Sequence, residues 1–261
     1  MRLLFVVQRY GAEVAGGAEA HCREFASRLA ARGHHVEAVT SCATDYLHWA
    51  NEYPPGVEEL DGVVVHRLPV AHQRDWRYFG PLDARTVWGA KPVPLYLQQE
   101  WMRRQGPDLP DLVPWLTDNS ADFDVVVFFT YLYQTTWAGL PAAAGLAPTV
   151  LHPTAHEEPM LALSIFDTTF RLPSAFAFST EEESVLIRRR FGVRRIESVI
   201  GVGVDLDPPS PDRTFVDRFP ELANRPFLLY VGRIDPNKGV GELCDYFAAY
   251  KERNPGLLAL V

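Results

Sequence analysis

Short apolar segments alternate along this chain with longer segments of helical periodicity. Continuous apolar segments are typical of strands that are buried on both faces of a parallel sheet, and the connections between such strands are helices. The pattern therefore predicts an α/β fold built on a parallel sheet. The predicted strands are Leu3–Gln8, Val36–Ser41, Val63–Leu68, Val125–Thr130, Thr149–His152, Ala175–Ser179 and Glu197–Ile200.

The first helix is predicted to begin near Gly17 and to end before Gly33, because its apolar residues recur at helical spacing. A later helix is predicted to start with a capping box, formed either by Ser179 and Glu182 or by Thr180 and Glu183. The same helix ends in three arginines, 188–190. We interpret this basic run as a solvated helix end, and a patch that binds phosphate or lipid headgroups is the alternative.

Composition excludes several classes of protein. The chain has 261 residues and a formal net charge of −8, which argues against a nucleic-acid-binding protein. Its three scattered cysteines are typical of a reduced, cytoplasmic protein. The apolar start of the chain is too short for a signal peptide, and no segment is apolar enough to be transmembrane. Any membrane contact is therefore expected to be peripheral.

The chain is predicted to contain two domains. The alternating pattern of residues 1–203 is followed by a proline-rich linker over 204–224, and a second alternating pattern occupies 225–261. Because this last segment is too short to form a sheet domain alone, we expect the chain to be the front part of a longer protein. Within the first domain, residues 70–120 are predicted to be an irregular insertion rich in aromatic residues. These aromatics are expected mostly to lie on helices packed against the sheet, and a sugar-stacking surface is the alternative.

Two turns that follow predicted strands carry groups suited to an anion. Arg233 and Lys238 follow the apolar segment Phe227–Val231, at the edge of an α/β sheet where ligands bind. Two cations at that position suit a diphosphate, although a solvated surface turn explains them equally well. Gly16 and Gly17 follow the first strand, where helix amide groups are available to an anion.

Five segments, taken in order, resemble the retaining glycosyltransferases of family 4, which have the GT-B fold. Ordered matches over most of the chain are far more specific than any one of them. The resemblance does not cover residues 70–120. The matching segments are Gly16–Glu19 with His21 and Leu29–Val36, then Pro153–Pro159, Phe178–Glu183, Val199–Asp205 and Val231–Gly239.

The resemblance implies a GT-B-like architecture, with an N-terminal Rossmann-like domain and the beginning of a second Rossmann-like domain. It implies a retaining, hexosyltransferase-type enzyme that uses a nucleoside-diphosphate sugar and a sugar, lipid-linked or small-molecule acceptor, without a metal or other cofactor. His156 would contact the donor sugar, and Arg233 and Lys238 would bind the diphosphate together with the loop of Gly16 and Gly17. The family's acidic E-x7-E segment is not found after Lys238.

The sequence also allows other interpretations. The chain could be a catalytically incomplete acceptor-binding module of a truncated glycosyltransferase, or another GT-B-shaped enzyme such as a sugar-nucleotide epimerase. His156 could have a purely structural role. It could also join His152, Glu157 and Glu158 in a metal cluster, although Pro153 prevents the two histidines from sharing a helix face.

Overall fold

The computed structural model describes residues 1–14, 16–203, 217–222, 227–232, 234, 238–256 and 258–260. The chain divides into two compact units, Met1–Gly203 and Val204–Val261. Most of the predicted linker, 204–224, lies outside the described residues. In the part of the chain that the structure describes, no helix is both long and apolar enough to span a membrane.

The first unit is built on an eight-stranded sheet with the order β3-β4-β2-β1-β5-β6-β7-β8. All neighbouring strands are parallel except β3, which runs antiparallel to β4 at one edge. The strand order reverses at β1, as in Rossmann-like sheets. The strands are β1 Arg2–Val6, β2 His35–Ser41, β3 Gly56–Leu60, β4 Val63–Leu68, β5 Val125–Phe129, β6 Thr149–His152, β7 Ala175–Phe178 and β8 Ile196–Val199.

The predicted α/β fold with an N-terminal Rossmann-like parallel sheet is confirmed. Each of the seven predicted strands is present within a few residues of its expected bounds. In the described part of this unit, β3 is the one strand that the sequence pattern did not predict. This strand is joined to β4 by Asp61 and Gly62, which both have positive φ, at 53° and 78°. Such a two-residue turn is typical of a β-hairpin.

The sheet is covered on both faces. In β1, Leu4 and Val6 belong to one buried cluster, whereas Leu3 and Phe5 belong to another. Because successive side chains of a strand point to opposite faces, the two clusters lie on the two sides of the sheet. Helix α1 contributes to the second cluster, and helices α2–α7 contribute to the first. The helices are α1 Gly17–Ala31, α2 Trp76–Val87, α3 Leu95–Gln105, α4 Leu112–Asn119, α5 Gln134–Ala143, α6 Phe166–Arg171 and α7 Glu181–Phe191.

Residues 70–120 contain the helices α2, α3 and α4. The prediction that this segment is irregular is therefore wrong. Our expectation that most aromatics there lie on helices is correct: Phe79 and Trp101 are buried in the core. The weak periodicity of α2 has a local cause, since Pro81 lies inside the helix and Gly80 precedes it. Pro and Gly both lower intrinsic helix propensity, and here tertiary packing overrides that preference.

The described residues of the second unit form a parallel strand pair connected by a helix. β9 Phe227–Leu229 pairs with β10 Leu258–Leu260, and α8 Val240–Arg253 lies between them in the chain. Gly239 precedes α8 with a φ of 67°, a left-handed conformation that glycine adopts without strain. This strand, helix and strand correspond to the elements predicted for residues 225–261.

A close approach between α5 and its neighbours depends on Gly139. A Cβ atom at this position would lie 2.8 Å from Leu116 Cδ1 and 3.1 Å from Phe128 Cε1. We expect Gly139→Ala to lower the free energy of unfolding by about 1–3 kcal/mol, because it overpacks the core.

Gly80→Ala is the matched control, since a Cβ at Gly80 in α2 meets no atom within 4 Å. It should raise stability by about 0.5–1 kcal/mol through improved helix propensity. Urea denaturation of both variants measures the difference. Equal effects of the two substitutions would contradict the packing role of Gly139.

Candidate active site

A cavity of about 570 Å³ opens at the carboxyl edge of the sheet in the first unit. It lies where the chain leaves β6 and β7 and where α1 begins. The structure thus brings Gly17 and His156, which were predicted from separate motifs, into the lining of one cavity. The lining residues are Gly17, Ala18, His21, His152, Thr154, Ala155, His156, Glu157, Ser179, Thr180, Glu182, Glu183, Leu186 and Val202.

The two glycines at the start of α1 differ in what surrounds them. Gly16 is the N-cap in extended conformation and has no side chain to cap the helix. A Cβ at Gly16 would lie 2.2 Å from Glu19 Oε2 and 3.0 Å from Arg9 Nη2, whereas a Cβ at Gly17 meets no atom within 4 Å. The first amide groups of a helix lack partners within the helix, and they attract anions. Gly16 is therefore required for packing, and Gly17 leaves open space beside these amides.

A buried ion pair holds this helix start against the end of β1. Glu19 accepts hydrogen bonds from Gln8 Nε2 at 2.8 Å and from Arg9 Nε at 2.9 Å. Arg9 also donates to the Thr44 carbonyl at 2.7 Å. Arg9 and Glu19 are only 4% and 5% exposed. Because the charge of Glu19 is compensated by Arg9, this acidic residue in the first turn does not oppose an anion at the helix start.

A second buried carboxylate holds the loop that carries His156. Glu183 in α7 accepts hydrogen bonds from the Ala155 amide at 2.6 Å and from the Ser179 amide at 2.7 Å. Desolvation raises the pKa of Glu183, and those two hydrogen bonds and the charge of His156 oppose that shift. The loop after β6 is thus tied to the start of α7.

Helix α7 has one of the two predicted cap residues but not the complete capping box. Thr180 Oγ1 accepts a hydrogen bond from the Glu183 amide at 3.1 Å, so Thr180 is the N-cap. The Glu183 carboxylate turns to Ser179 and Ala155 instead of completing the capping box at Thr180.

Two neutral histidines line the cavity. His152 donates from Nδ1 to the Ala177 carbonyl at 2.5 Å, and burial lowers the pKa of His152 to about 4. Its ring centroid lies 4.9 Å from that of His21, whose pKa is also lowered by burial. The buried Nε2 of His21 has no hydrogen-bond partner among the residues that the structure describes. The other ring nitrogen of His152, Nε2, lies 3.4 Å from Ser179 Oγ, so the unpaired ring nitrogen of this pair is Nε2 of His21.

Backbone strain is found at the ends of two neighbouring strands. Thr154 follows β6 and lines the cavity with a φ of 52°, and Thr130 follows β5 with a φ of 69°. Left-handed backbone is unfavourable for a β-branched residue and costs on the order of 1–3 kcal/mol. Such strain persists only where the surrounding structure imposes it, and it is concentrated at functional sites.

The predicted site residues are distributed over both units. His156 is exposed in the cavity, and Gly16 lies immediately before the lining residue Gly17. Lys238 is exposed in the second unit, next to the N-cap of α8, and Arg233 lies outside the described residues. Among the described residues, no group of three or more His, Cys, Asp or Glu side chains could hold a metal ion.

The sequence assigned no role to Glu19 or His21, gave Glu183 only a place in one of two possible capping boxes, and offered His152 only as an alternative metal ligand. Sequence signals for the two glutamates exist, because each lies in the first turn of a helix that follows a strand. Their burial depends on contacts between distant parts of the chain, such as that of Glu183 with Ala155, and periodicity does not reveal such contacts.

Comparison with known proteins identifies the family of this chain. Residues 16–206 match the model of the glycosyl transferase 4-like domain. This match covers most of the chain and includes every residue that lines the cavity. The chain therefore belongs to the glycosyl transferase 4-like family, and the resemblance noted in the sequence is confirmed.

Two individual proteins are similar to this chain. The chain is 28% identical over 249 residues to a D-inositol 3-phosphate glycosyltransferase of Nocardiopsis dassonvillei, with 93% of this chain and 54% of that protein covered. It thus spans about half the length of this curated relative. An α,α-trehalose-phosphate synthase (UDP-forming) from Burkholderia vietnamiensis superimposes with a TM-score of 0.60 at 13% identity, covering 99% of this chain and 62% of that one. The second similarity concerns the fold alone, and it supports the GT-B-like assignment.

Burial of neutral His152 predicts a pH-dependent stability. Its pKa is about 4 in the folded state, against an ordinary value of 6.5, so the folded state binds fewer protons than the unfolded state between these values. Stability should therefore fall as the pH decreases from about 6.5 to about 4, by about 3 kcal/mol from this group.

His152→Gln retains a donor for the Ala177 carbonyl but does not titrate. Denaturant unfolding at several pH values should show a shallower dependence for this variant than for the wild type. Identical slopes would show that His152 is not the group responsible.

Proposed function

We propose that this chain is part of a glycosyltransferase that moves a sugar from a nucleoside-diphosphate sugar to an acceptor hydroxyl with retention of configuration. The observation that carries the proposal is the cavity shared by Gly17 and His156 at the carboxyl edge of the sheet, in a chain of the glycosyl transferase 4-like family. Ligands of open α/β sheets bind at this edge. The proposed activity is of the hexosyltransferase type.

The donor diphosphate is proposed to bind at the start of α1. Gly17 and Ala18 at the helix start line the cavity, and the carboxylate of Glu19 is neutralised by Arg9. In this proposal, residues 225–261 begin the donor-binding domain. Arg233 and Lys238 would neutralise the negative charge that develops on the leaving diphosphate. Because two cations perform this task, the proposed reaction requires neither a metal nor another cofactor.

His156 is proposed to contact the donor sugar. It is exposed in the cavity, and Glu183 fixes its loop through the amide of Ala155. The carboxylates of Glu157 and Glu182 also line the cavity and could accept hydrogen bonds from sugar hydroxyl groups. They would also tolerate the positive charge that develops on the sugar during transfer.

The acceptor is proposed to be a sugar, a lipid-linked sugar or a small molecule with a free hydroxyl. With a net charge of −8, the chain is not expected to act on nucleic acid. We propose a cytoplasmic protein, and any contact with a membrane would be peripheral.

The complete protein should release nucleoside diphosphate from one member of a panel of nucleotide sugars, and it should do so in the presence of EDTA. NMR of the product should show that the anomeric configuration is retained. His156→Ala, Arg233→Ala and Lys238→Ala should each reduce turnover by at least about tenfold, since one charge-assisted contact contributes roughly 1.5–3 kcal/mol.

Arg253→Ala is a matched control for the two cations, because Arg253 is an exposed residue at the end of α8. It should leave turnover unchanged. Wild-type turnover in the three site variants would refute the assigned roles. An epimerised nucleotide sugar as the product would favour the epimerase, and binding without release of diphosphate would favour the acceptor-binding module.

The two glycines offer a separate test of the donor site. Gly17→Ala should leave the melting temperature unchanged, because its Cβ meets open space, but it should raise the KM for the nucleotide sugar several-fold by occupying that space. Gly16→Ala should instead lower stability, since its Cβ collides with the buried Glu19 carboxylate. Thermal melts and steady-state kinetics distinguish the two effects. An unchanged KM in Gly17→Ala would argue against a donor at this helix start.

A further inference from the structure

A second cavity in the first unit, of about 270 Å³, shares no lining residue with the first. It lies between the start of α2 and the end of α3, in the segment that the sequence resemblance did not cover. Arg74 lines it together with the aromatic residues Trp49, Tyr78 and Phe79. Its volume suits one group of a small ligand and is too small for a large molecule.

Arg74 is a buried cation that forms no ion pair with any described carboxylate. Arg74 is only 8% exposed. In the described part of the chain, no carboxylate lies within salt-bridge distance of its guanidinium group. Its Nη2 donates to the backbone carbonyl and to Oε1 of Gln105, and its buried Nε has no hydrogen-bond partner among the described residues. Burial lowers the pKa of Arg74 to about 10, so it remains charged at neutral pH.

The aromatic rings around Arg74 hold the guanidinium in place. Its central carbon lies 4.6 Å from the centroid of the Phe79 ring, 5.3 Å from Trp76 and 5.6 Å from Trp49. These contacts stabilise a cation, but they do not use its remaining N–H donors. Arginine combines such stacking with bidentate hydrogen bonds to a phosphate or a carboxylate.

The carboxylates that line the cavity contact groups other than Arg74. Glu100 contacts Arg103 at 3.7 Å and Arg104 at 2.9 Å, and Asp108 contacts His72 at 2.7 Å. The Asp75 carboxylate accepts a hydrogen bond from the Arg77 amide at 2.9 Å and thereby caps α2. None of them forms an ion pair with Arg74.

We infer that this cavity binds the phosphate or carboxylate group of a small ligand, with Arg74 as the deepest contact and aromatic side chains as its walls. A buried arginine that lacks an acidic partner is unfavourable, and a bound anion would supply that partner. Arg103 and Arg104 line the same cavity, but both already pair with Glu100, so Arg74 is the cation left to bind an anion. The inference does not rest on the proposed transfer reaction, because binding of an anion can be measured without turnover.

Calorimetric titration of the full chain with inorganic phosphate tests the inference. Arg74→Met removes the charge but retains an unbranched stem among the rings, and it should weaken phosphate binding by at least about tenfold. Arg74→Lys retains the charge without the planar fork, and it should weaken binding by a smaller factor. Arg77→Met is the matched control, because Arg77 is an exposed residue of α2 that does not line the cavity, and it should bind like the wild type.

Phosphate held at the start of α1 would persist in Arg74→Met, so the difference between this variant and the wild type isolates the second cavity. Equal phosphate affinity in the wild type, Arg74→Met and Arg74→Lys would overturn the inference. The absence of saturable phosphate binding by the wild type would also overturn it. The Arg74→Lys result decides the outcome if Arg74→Met does not fold.

Two further kinetic measurements on the complete protein identify the molecule that carries the anion. If the anion belongs to the acceptor of the complete protein, Arg74→Lys should raise the KM for phosphorylated acceptors and leave that for neutral acceptors unchanged. If it is free phosphate, added phosphate should change the turnover of a neutral acceptor by the wild type and not by Arg74→Met. Each result supports the site and identifies its ligand.

Discussion

The candidate active site depends on a buried carboxylate that connects the end of β1 to the first turn of α1. Glu19 is paired there with Arg9, and this pair occupies the space where a side chain at Gly16 would lie. Removal of one partner from a buried pair typically costs about 3–5 kcal/mol, so the position of the loop is strongly determined. Glu183 has the same role at α7, where its carboxylate accepts a hydrogen bond from the Ala155 amide. Two helix starts are therefore fixed by acids that do not face solvent.

The sequence predicts most of this fold because buried parallel strands are continuous apolar segments. The alternation of strands and helices is visible without knowledge of any contact. β3 was missed because it is short, exposed and contains Glu58 and Glu59, so it lacks an apolar pattern. Its turn, Asp61-Gly62, is a hairpin signal that could have revealed it. Helix α2 was obscured by Gly80 and Pro81, which lower its helix propensity, whereas its Phe79 and Leu82 pack into the core.

The candidate site was predictable where it depends on local sequence. Gly17 and His156 follow strands, and the carboxyl ends of parallel strands share one edge of the sheet. The state of the other lining groups depends on burial that no local pattern encodes. His152 is neutral because it is enclosed, and in the described part of the chain no carboxylate lies within salt-bridge distance of Arg74. Such properties follow from the three-dimensional arrangement alone.

The hairpin formed by β3 and β4 also affects how this protein behaves at high concentration. An unpaired strand edge can recruit a strand from another molecule, which leads to intermolecular aggregation. Here the outermost strand is β3, which has only five residues and exposes two carboxylates, and Glu58 is held by the buried Arg67. A second molecule that approached this edge would bring its backbone against the negative charge of Glu59. The hairpin therefore protects one side of a largely apolar sheet from self-association.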